Sequence, residues 1–345
     1  MSVDVVMKKA NVKSVKRKVL KTITIVLLLV VAIAGTYIGL QYRAFQQAVT
    51  KMNEQITEPK ASGVTQKEVD VEPFSVLLLG VDERENDVGR SDTMIVLTVN
   101  PEAKSVKMLS IPRDTRVEIV GNDTTEKINH AYARGGVNMA IDTVENLLNI
   151  PIDYYVSVNM EGFLDLVDTL GGIEVENDME LEVNDYYFPK GEVKLNGDEA
   201  LIFSRIRYED PRGDFGRQVR QRLLIEALMG EAKDPKILLK VSDVLDVLGD
   251  NVRMNFTMSE IKAFPQLYVN LNSSIEQLQF EDGTGEMIGP LWYYIMDEEE
   301  LTSISNDLRT HLELETLTSD KKELDTSTRD LKELETSTSE PNIRP

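Results

Sequence analysis

Four groups of charged residues in this chain could bind phosphate together with a metal ion. They are Asp82, the pair Arg90 and Asp92, Arg113, and a dense run from Arg205 to Arg222. Guanidinium groups bind phosphate oxygens in bidentate fashion, and carboxylates hold a divalent cation that bridges those oxygens. A single exposed arginine more often forms a surface ion pair. Many arginines spaced around two aspartates are, however, what a pyrophosphate site requires.

The spacing inside the run favours a shared site. Arg205 and Arg207 stand two apart in the segment SRIRY, and Arg217 and Gln221 stand four apart. Residues four apart are neighbours on a helix, so the second pair is expected to share one face of a helix predicted over 216–231. These side chains would then point toward a common ligand.

The elements that must position these residues alternate between strands and helices. The predicted strands cover 74–81, 93–99, 104–111, 154–158 and the segment after Gly171 and Gly172, and the predicted helices cover 127–134, 137–149 and 216–231, with Asp214 as N-cap of the last. Strands 93–99 and 104–111 form a hairpin, because a turn containing Pro101 joins them. This order predicts an α/β domain over 73–310 with a mixed central sheet flanked by helices on both faces, a three-layer arrangement.

The predicted strand ends bring the charged groups together. Asp82 follows the first strand, Asp92 precedes the second, and Arg113 follows the third. In open α/β sheets, ligands bind in the crevice outside the strand ends. We therefore expect these side chains to converge on one crevice.

An apolar segment near the N-terminus predicts one transmembrane helix before the domain. Residues 22–40 are uncharged and mostly apolar, which is long enough to cross a bilayer core of about 30 Å. Residues 1–21 carry seven Lys or Arg against one acid, which keeps this tail in the cytoplasm. Residues 41–72 are then an extracellular stalk, and the domain lies outside the cell. A cleaved signal peptide is the main alternative, but its apolar region is normally only about 7–15 residues.

Composition excludes several classes of function. The net charge is −21, so a phosphate backbone would repel the domain and nucleic acid is not an expected partner. The chain has no cysteine, which excludes disulfides, thiolate catalysis and cysteine-bound metals, and its two histidines make a histidine-based zinc site improbable. Residues 311–345 include three copies of a ten-residue unit rich in charge, Thr and Ser. They are predicted as a low-complexity acidic tail.

Four segments resemble the LytR-CpsA-Psr family of bacterial cell-envelope proteins. They are LLLGVDERENDVGRSDTMIVLTVNPEAKSVKMLSIPRDT, KINHAYARGG, LVDTLGGIEVEN and ALIFSRIRYEDPRGDFGRQVRQRLLIEAL, and they cover most of residues 74–228. The resemblance implies a membrane-anchored phosphotransferase that moves a glycopolymer of teichoic acid or capsular polysaccharide type. The donor would be a polyprenyl-pyrophosphate carrier, the acceptor a peptidoglycan hydroxyl, and the by-product polyprenyl phosphate.

The resemblance also implies a role for each candidate site residue. Asp82 and Asp92 would hold Mg²⁺ or Mn²⁺, and Asp214 would orient the arginines or assist the metal. The residues implied in pyrophosphate binding are Arg90, Arg113, Arg205, Arg207, Arg217 and Gln221. Asp82 is also a candidate to accept the proton of the attacking hydroxyl.

Three other functions stay open at this point. A binder of polyprenyl-linked glycans would need the arginines but not the metal aspartates, so the presence of Asp82 and Asp92 favours an enzyme. A pyrophosphatase would use the same site with water as the nucleophile. A membrane-bound transcriptional regulator would need a recognition fold, for which the short basic tail before residue 22 has no room.

Overall fold

The structure is a computed structural model that describes residues 32–33, 35–53, 72–83, 89–231, 240–270 and 275–317. Its strands are β1 Phe74–Val81, β2 Ser91–Asn100, β3 Ser105–Ser110, β4 Arg116–Ile119, β5 Thr124–Lys127, β6 Tyr154–Asn159, β7 Ile173–Asn177, β8 Leu181–Val183, β9 Tyr186–Phe188, β10 Gly191–Leu195, β11 Val252–Met254, β12 Ile275–Leu278, β13 Thr284–Ile288 and β14 Leu291–Ile295. Its helices are α1 over 35–53, α2 His130–Leu148, α3 Met160–Leu170, α4 Gly197–Arg205, α5 Asp214–Glu231, α6 Val241–Asn251, α7 Met258–Asn270 and α8 Glu298–His311.

A six-stranded mixed sheet in the order β11-β6-β1-β2-β3-β12 forms the centre of the fold. The hairpins β1–β2 and β2–β3 are antiparallel, whereas β1–β6 and β3–β12 are parallel. The predicted first strand and the predicted hairpin are therefore confirmed. β1 is apolar along almost its whole length because helices cover both faces of the sheet.

Side chains of β1 alternate between two cores. Leu77 and Leu79 face the first core, which α2 and α8 close. Val76 faces the second core, which α1, α6 and α7 close. The predicted α/β class, with a mixed central sheet and helices on both of its faces, is confirmed. A third core joins α3, α4 and α5 to the small strands β7 to β10.

Three local predictions differ from the structure. The helix predicted over 216–231 begins at Asp214, so this residue lies in the first turn of α5 rather than at an N-cap before residue 216. Residue 127 ends a strand, and the two helices predicted after it are one helix, α2, interrupted at Gly135 and Gly136, of which the second has a φ of 64°. The break at Gly135 and Gly136 was predicted, but it interrupts one helix and does not separate two.

The helix α1, which precedes the predicted domain, packs against the domain and is not a free stalk. Val49 and Met52 of α1 are buried in the second core, Lys51 forms an ion pair with Asp250, and Asn53 Nδ2 donates to the Phe256 carbonyl at 3.0 Å. The first part of the predicted 41–72 linker thus belongs to the folded domain, and 54–71 lies outside the described residues. The same holds for 1–31, which includes most of the predicted transmembrane segment. Within the part of the chain that is described, no helix is long and apolar enough to cross a membrane.

Packing also continues past residue 310 at the C-terminal side. His311 and Leu312 are buried, and the imidazole lies between the hydroxyls of Thr98, at 2.7 Å from Nδ1, and Ser105, at 2.8 Å from Nε2. The predicted tail therefore starts inside the packed domain, and its part from 318 onward lies outside the described residues.

Candidate active site

A cavity of about 690 Å³ lies between the central sheet and the lobe formed by α3, α4 and α5. Much of its wall is apolar: Leu78, Val156, Val158, Phe163, Leu166, Ile202, Leu224, Ile225 and Leu228. Seven of the nine predicted site residues also line it: Asp82, Asp92, Arg113, Arg205, Arg207, Arg217 and Gln221. The cavity thus combines an apolar wall with a cluster of arginines and two carboxylates.

Asp92 and Arg113 tie together the ends of β2 and β3. Arg113 Nη1 lies 3.0 Å from Asp92 Oδ1, and Asn129 Nδ2 donates to the same oxygen at 3.2 Å. Burial lowers the pKa of Arg113, but the charges of Asp92 and Asp114 outweigh burial, and the net shift of its pKa is upward. Arg113 therefore stays a cation at the cavity wall.

Asp214 links the arginines of α5 to those that follow α4. Arg217 Nη2 lies 2.8 Å from Asp214 Oδ1, and Arg207 Nε lies 3.9 Å from the same oxygen. Burial lowers the pKa of Arg217, which the charge of Asp214 partly offsets. Asp214 is not among the cavity-lining residues, so its position fits the expected role in orienting the arginines better than a role in holding a metal.

Asp82 and Arg90 lie where the chain leaves β1 and enters β2. Arg205 Nη2 lies 3.4 Å from Asp82 Oδ1, and the backbone N–H of Asp82 donates to the Arg90 carbonyl at 3.1 Å. The side chain of Arg90 is exposed and is not among those that line the cavity. The contact of Arg90 with the site is therefore the hydrogen bond that its backbone carbonyl accepts from Asp82. Residues 84–88, between β1 and β2, lie outside the described residues.

Asp114 is a site residue that sequence reasoning missed. Its carboxylate is buried and accepts from Lys127 Nζ at 2.6 Å. It also lies 3.9 Å from both Arg113 Nε and Arg207 Nη2. In the sequence Asp114 is marked only by its place next to Arg113 in the IPRDT segment, which does not reveal its contact with Lys127.

Two buried guanidinium atoms at this cavity have unused donors. Among the described residues, Arg113 Nε and Arg217 Nε are buried side-chain atoms with no hydrogen-bond partner. Buried polar groups in native proteins are almost always hydrogen-bonded, so such atoms need an explanation. Both residues line the cavity, so an anionic ligand would meet their guanidinium groups, and closer packing of the site around it could engage these donors.

The carboxylates fit a metal that arrives with phosphate. The described residues include no group of three or more His, Asp or Glu that could hold a metal ion alone. Asp82 and Asp92 both line the cavity. Mg²⁺ is commonly held by one or two carboxylates plus substrate phosphates and water rather than by an all-protein cage. The donor set therefore fits Mg²⁺ shared with a bound pyrophosphate.

Comparison with known proteins gives consistent matches. The model of the LytR_cpsA_psr family matches residues 39–310. The polyisoprenyl-teichoic acid–peptidoglycan teichoic acid transferase TagU of Halalkalibacterium halodurans is 46% identical over 289 residues, which cover 82% of this chain and 94% of that protein. The crystal structure of TagU from B. subtilis matches with a TM-score of 0.59 at 44% identity, covering 72% of this chain and 100% of that one. The structure of TagT bound to LI-WTA matches with a TM-score of 0.59 at 31% identity, covering 72% of this chain and 94% of that one. The chain described here therefore belongs to the LytR-CpsA-Psr family.

Proposed function

We propose that this protein transfers a glycopolymer of teichoic acid or capsular polysaccharide type from a polyprenyl-pyrophosphate carrier to a peptidoglycan hydroxyl. The observation that carries the proposal is that four arginines and two aspartates meet an apolar wall in one cavity of about 690 Å³. A polyprenyl-pyrophosphate carrier needs an apolar wall for its prenyl chain and a charged cluster for its pyrophosphate. The names of the relatives, which are teichoic acid transferases, support the same reaction.

The reaction is a substitution at phosphorus. The oxygen of the acceptor hydroxyl attacks the phosphorus that bears the glycan, the bond from that phosphorus to polyprenyl phosphate breaks, and the hydroxyl proton passes to a base. Such transfer depends on positioning and on neutralising charge more than on covalent help. Arg113 and Arg217 supply the charge and the unused donors, while the apolar wall holds the prenyl chain.

Two aspartates are assigned to the metal and to the proton. Asp82 and Asp92 would hold Mg²⁺ or Mn²⁺, which when bound would neutralise charge on the phosphate oxygens. Asp82 is the candidate base, because its carboxylate lines the cavity, where Arg205 Nη2 lies 3.4 Å from its Oδ1. Asp92 is held by Arg113 and Asn129.

The proposal also places the protein at the cell membrane. Residues 22–40 would form a single-pass anchor with the N-terminus in the cytoplasm and the catalytic domain outside the cell, next to both the carrier and the peptidoglycan acceptor. The acidic composition argues against nucleic acid as a partner and hence against transcriptional regulation.

The test uses the full chain in detergent micelles with a polyprenyl-pyrophosphate glycan and a peptidoglycan fragment. We expect release of polyprenyl phosphate and formation of a glycan-peptidoglycan conjugate, both lost when EDTA removes the metal and restored by Mg²⁺. Release without conjugate would indicate a pyrophosphatase. Carrier binding with no release under any condition would indicate a non-catalytic binder.

A further inference from the structure

An exposed hairpin beside Arg207 presents apolar side chains that none of the three cores covers. At the tip of β13–β14, Met287, Ile288, Leu291 and Trp292 are 61%, 37%, 44% and 36% exposed. Contiguous exposed apolar surface is uncommon on proteins unless it binds a partner or ligand. The hairpin tip is therefore a candidate binding surface.

The base of this hairpin is fixed to the candidate active site. Tyr293 and Tyr294 are buried, and the Tyr294 N–H donates to the Asp114 carbonyl at 2.9 Å. The ring of Tyr294 packs edge-on against Phe215 of α5, with ring centroids 5.8 Å apart. The hairpin is thus attached both to the loop that carries Arg113 and to the helix that carries Arg217.

Two aromatic rings lie next to the guanidinium of Arg207. Its Cζ is 5.7 Å from the ring centroid of Tyr208 and 5.9 Å from that of Trp292. A Cβ added at Gly285, on the neighbouring strand, would lie 2.8 Å from the indole, so the ring rests against bare backbone there. Arg207 lines the cavity, whereas Trp292 does not. The indole therefore lies just outside the cavity, next to Arg207, an arginine of the cavity wall that is proposed to bind phosphate.

We propose that Trp292, together with Tyr208, forms a stacking platform for the sugar rings of the peptidoglycan acceptor, an inference that rests on the proposed function. The C–H groups of a sugar ring suit the electron-rich face of an aromatic ring, and Trp and Tyr add a polar group at their edge. A glycan held on Trp292 has a hydroxyl within reach of a phosphate bound to Arg207.

Charge and geometry favour the acceptor over the anionic polymer. Residues 281–300 contain seven Asp or Glu and no Lys or Arg. Apart from Arg207 beside Trp292 and Lys127, which lies 5.8 Å from the ring centroid of Tyr293, this segment is acidic. Its acidic residues disfavour a polyphosphate chain or an anionic lipid surface more than a glycan strand without phosphate. In-line transfer also places the attacking hydroxyl opposite the leaving group. Since the leaving polyprenyl phosphate would occupy the apolar part of the cavity, a platform at the cavity's edge, where Tyr208 lines the cavity and Trp292 lies outside it, suits the acceptor.

The first test follows the fluorescence of Trp292, which is the only tryptophan in the chain. We expect a saturable change in its emission when a soluble peptidoglycan glycan fragment is added to the full chain in micelles, and none with a poly(glycerol phosphate) of equal length. No response to the glycan fragment would overturn the inference. So would quenching by brominated acyl chains when the protein is held in nanodiscs, since the hairpin would then enter the membrane.

The second test separates the acceptor from the donor. We expect Trp292→Ala to raise KM for the acceptor about tenfold, as truncation of an anchoring tryptophan does, while KM for the carrier is unchanged. Trp292→Phe should keep most of the acceptor affinity. Tyr187→Ala, which removes an aromatic side chain that is 57% exposed on another hairpin, is the matched control and should leave both values unchanged.

The outcomes distinguish this inference from the proposed function. An unchanged acceptor KM in Trp292→Ala, with transfer intact, would overturn the platform and leave the transferase in place. Failure of the unmodified protein to release polyprenyl phosphate would overturn the transferase, and the fluorescence titration would still decide whether Trp292 binds sugar.

Discussion

At the scale of single residues, the site depends on arginines whose surroundings differ from those of surface arginines. Arg217 is 4% exposed, and its pKa is lowered by burial, yet it lines the cavity with an unpaired Nε. Keeping a buried cation with an unused donor is costly unless a ligand completes it. The burial of Arg217 at the cavity is therefore best explained by a protein that binds an anion there.

If the protein has the proposed function, replacing Arg113 or Arg217 by alanine should reduce turnover by at least about a hundredfold, because each change would remove a charge that stabilises the phosphate oxygens. Polyprenyl phosphate release by the purified full chain is the measurement. Arg116→Ala, an exposed arginine three positions after Arg113, is the control and should retain full activity. Turnover within twofold of the unmodified protein in both site variants would refute the assignment.

Residues with a recognisable local pattern could be placed at the cavity from the sequence, whereas residues whose contacts are distant in the chain could not. Arg205, Arg207 and Arg217 were identifiable from type and spacing, and all line the cavity. Asp114 was missed because its partner Lys127 lies on β5 and nothing local marks the contact. Arg90 illustrates the converse, since its type and place suggested a ligand but its side chain is not part of the cavity wall.

At the scale of elements, Arg220 holds the segment between α4 and α5 in place. This fully buried side chain donates to the carbonyls of Phe203, at 3.1 Å, and Ile206, at 2.5 Å, and to Asp210 Oδ2 at 2.5 Å. Ile206 stands between Arg205 and Arg207. Arg220 thereby fixes the backbone from which two cavity arginines extend, although it does not line the cavity itself.

The variant Arg220→Lys should lower kcat by about a hundredfold, because a lysine cannot bond all three acceptors and a shift of about 1 Å in the site arginines is enough for such a loss. Arg222→Lys is the matched control on the same helix. Arg222 is also buried, but it bonds to Ser110 and Gln277, away from the cavity. Both variants should melt at lower temperature, and only the first should lose turnover. Equal kcat in the two would show that Arg220 acts on stability alone.

The end of α8 should make stability depend on pH through His311. Burial lowers the pKa of His311 below its ordinary value of 6.5, and Lys107 lowers it further, while Asp307 and Glu276 oppose this. The unfolded chain then binds more protons than the folded one just below pH 6.5, so the free energy of unfolding should fall as pH decreases through that range.

Denaturant unfolding of the full chain at pH 7.5, 6.5 and 5.5 measures this effect. His311→Gln retains a polar group for the Thr98 and Ser105 hydroxyls but cannot be protonated, so its stability should fall less over the same range. The slope for one group is limited to about 1.4 kcal/mol per pH unit. Identical slopes for the two proteins would show that His311 does not titrate in this range.

At the scale of the whole molecule, the folded domain extends beyond both of its predicted bounds. The predicted bounds of 73 and 310 follow changes in local composition, which mark where apolar periodicity weakens. α1 packs against the second core, and Leu312 packs against the first. These contacts join residues that are far apart in the chain, so in the local sequence they appear only as a few apolar residues within a polar segment. Opposite faces of the sheet are thus completed by the two segments that flank the predicted domain.

A chain spanning 73–310 should consequently be much less stable than one spanning 41–317. The shorter chain loses the buried side chains of Val49, Met52 and Leu312, each of which contributes on the order of 2 kcal/mol. At about 2–4 °C per kcal/mol for a domain of this size, Tm should fall by about 10 °C or more. Thermal unfolding followed by circular dichroism measures the difference, and Tm values within about 2 °C of each other would contradict it.

Point variants of the full chain separate lost packing from an effect of shortening. Met52→Asp should destabilise the second core, whereas Gln47→Asp, on the exposed side of the same helix, should not. If Met52→Asp also lowers turnover, α1 and the sheet that carries the site are coupled through the second core. That coupling is expected to be small, because α1 packs on Phe74 and Val76 near the start of β1, whereas Asp82 follows its far end.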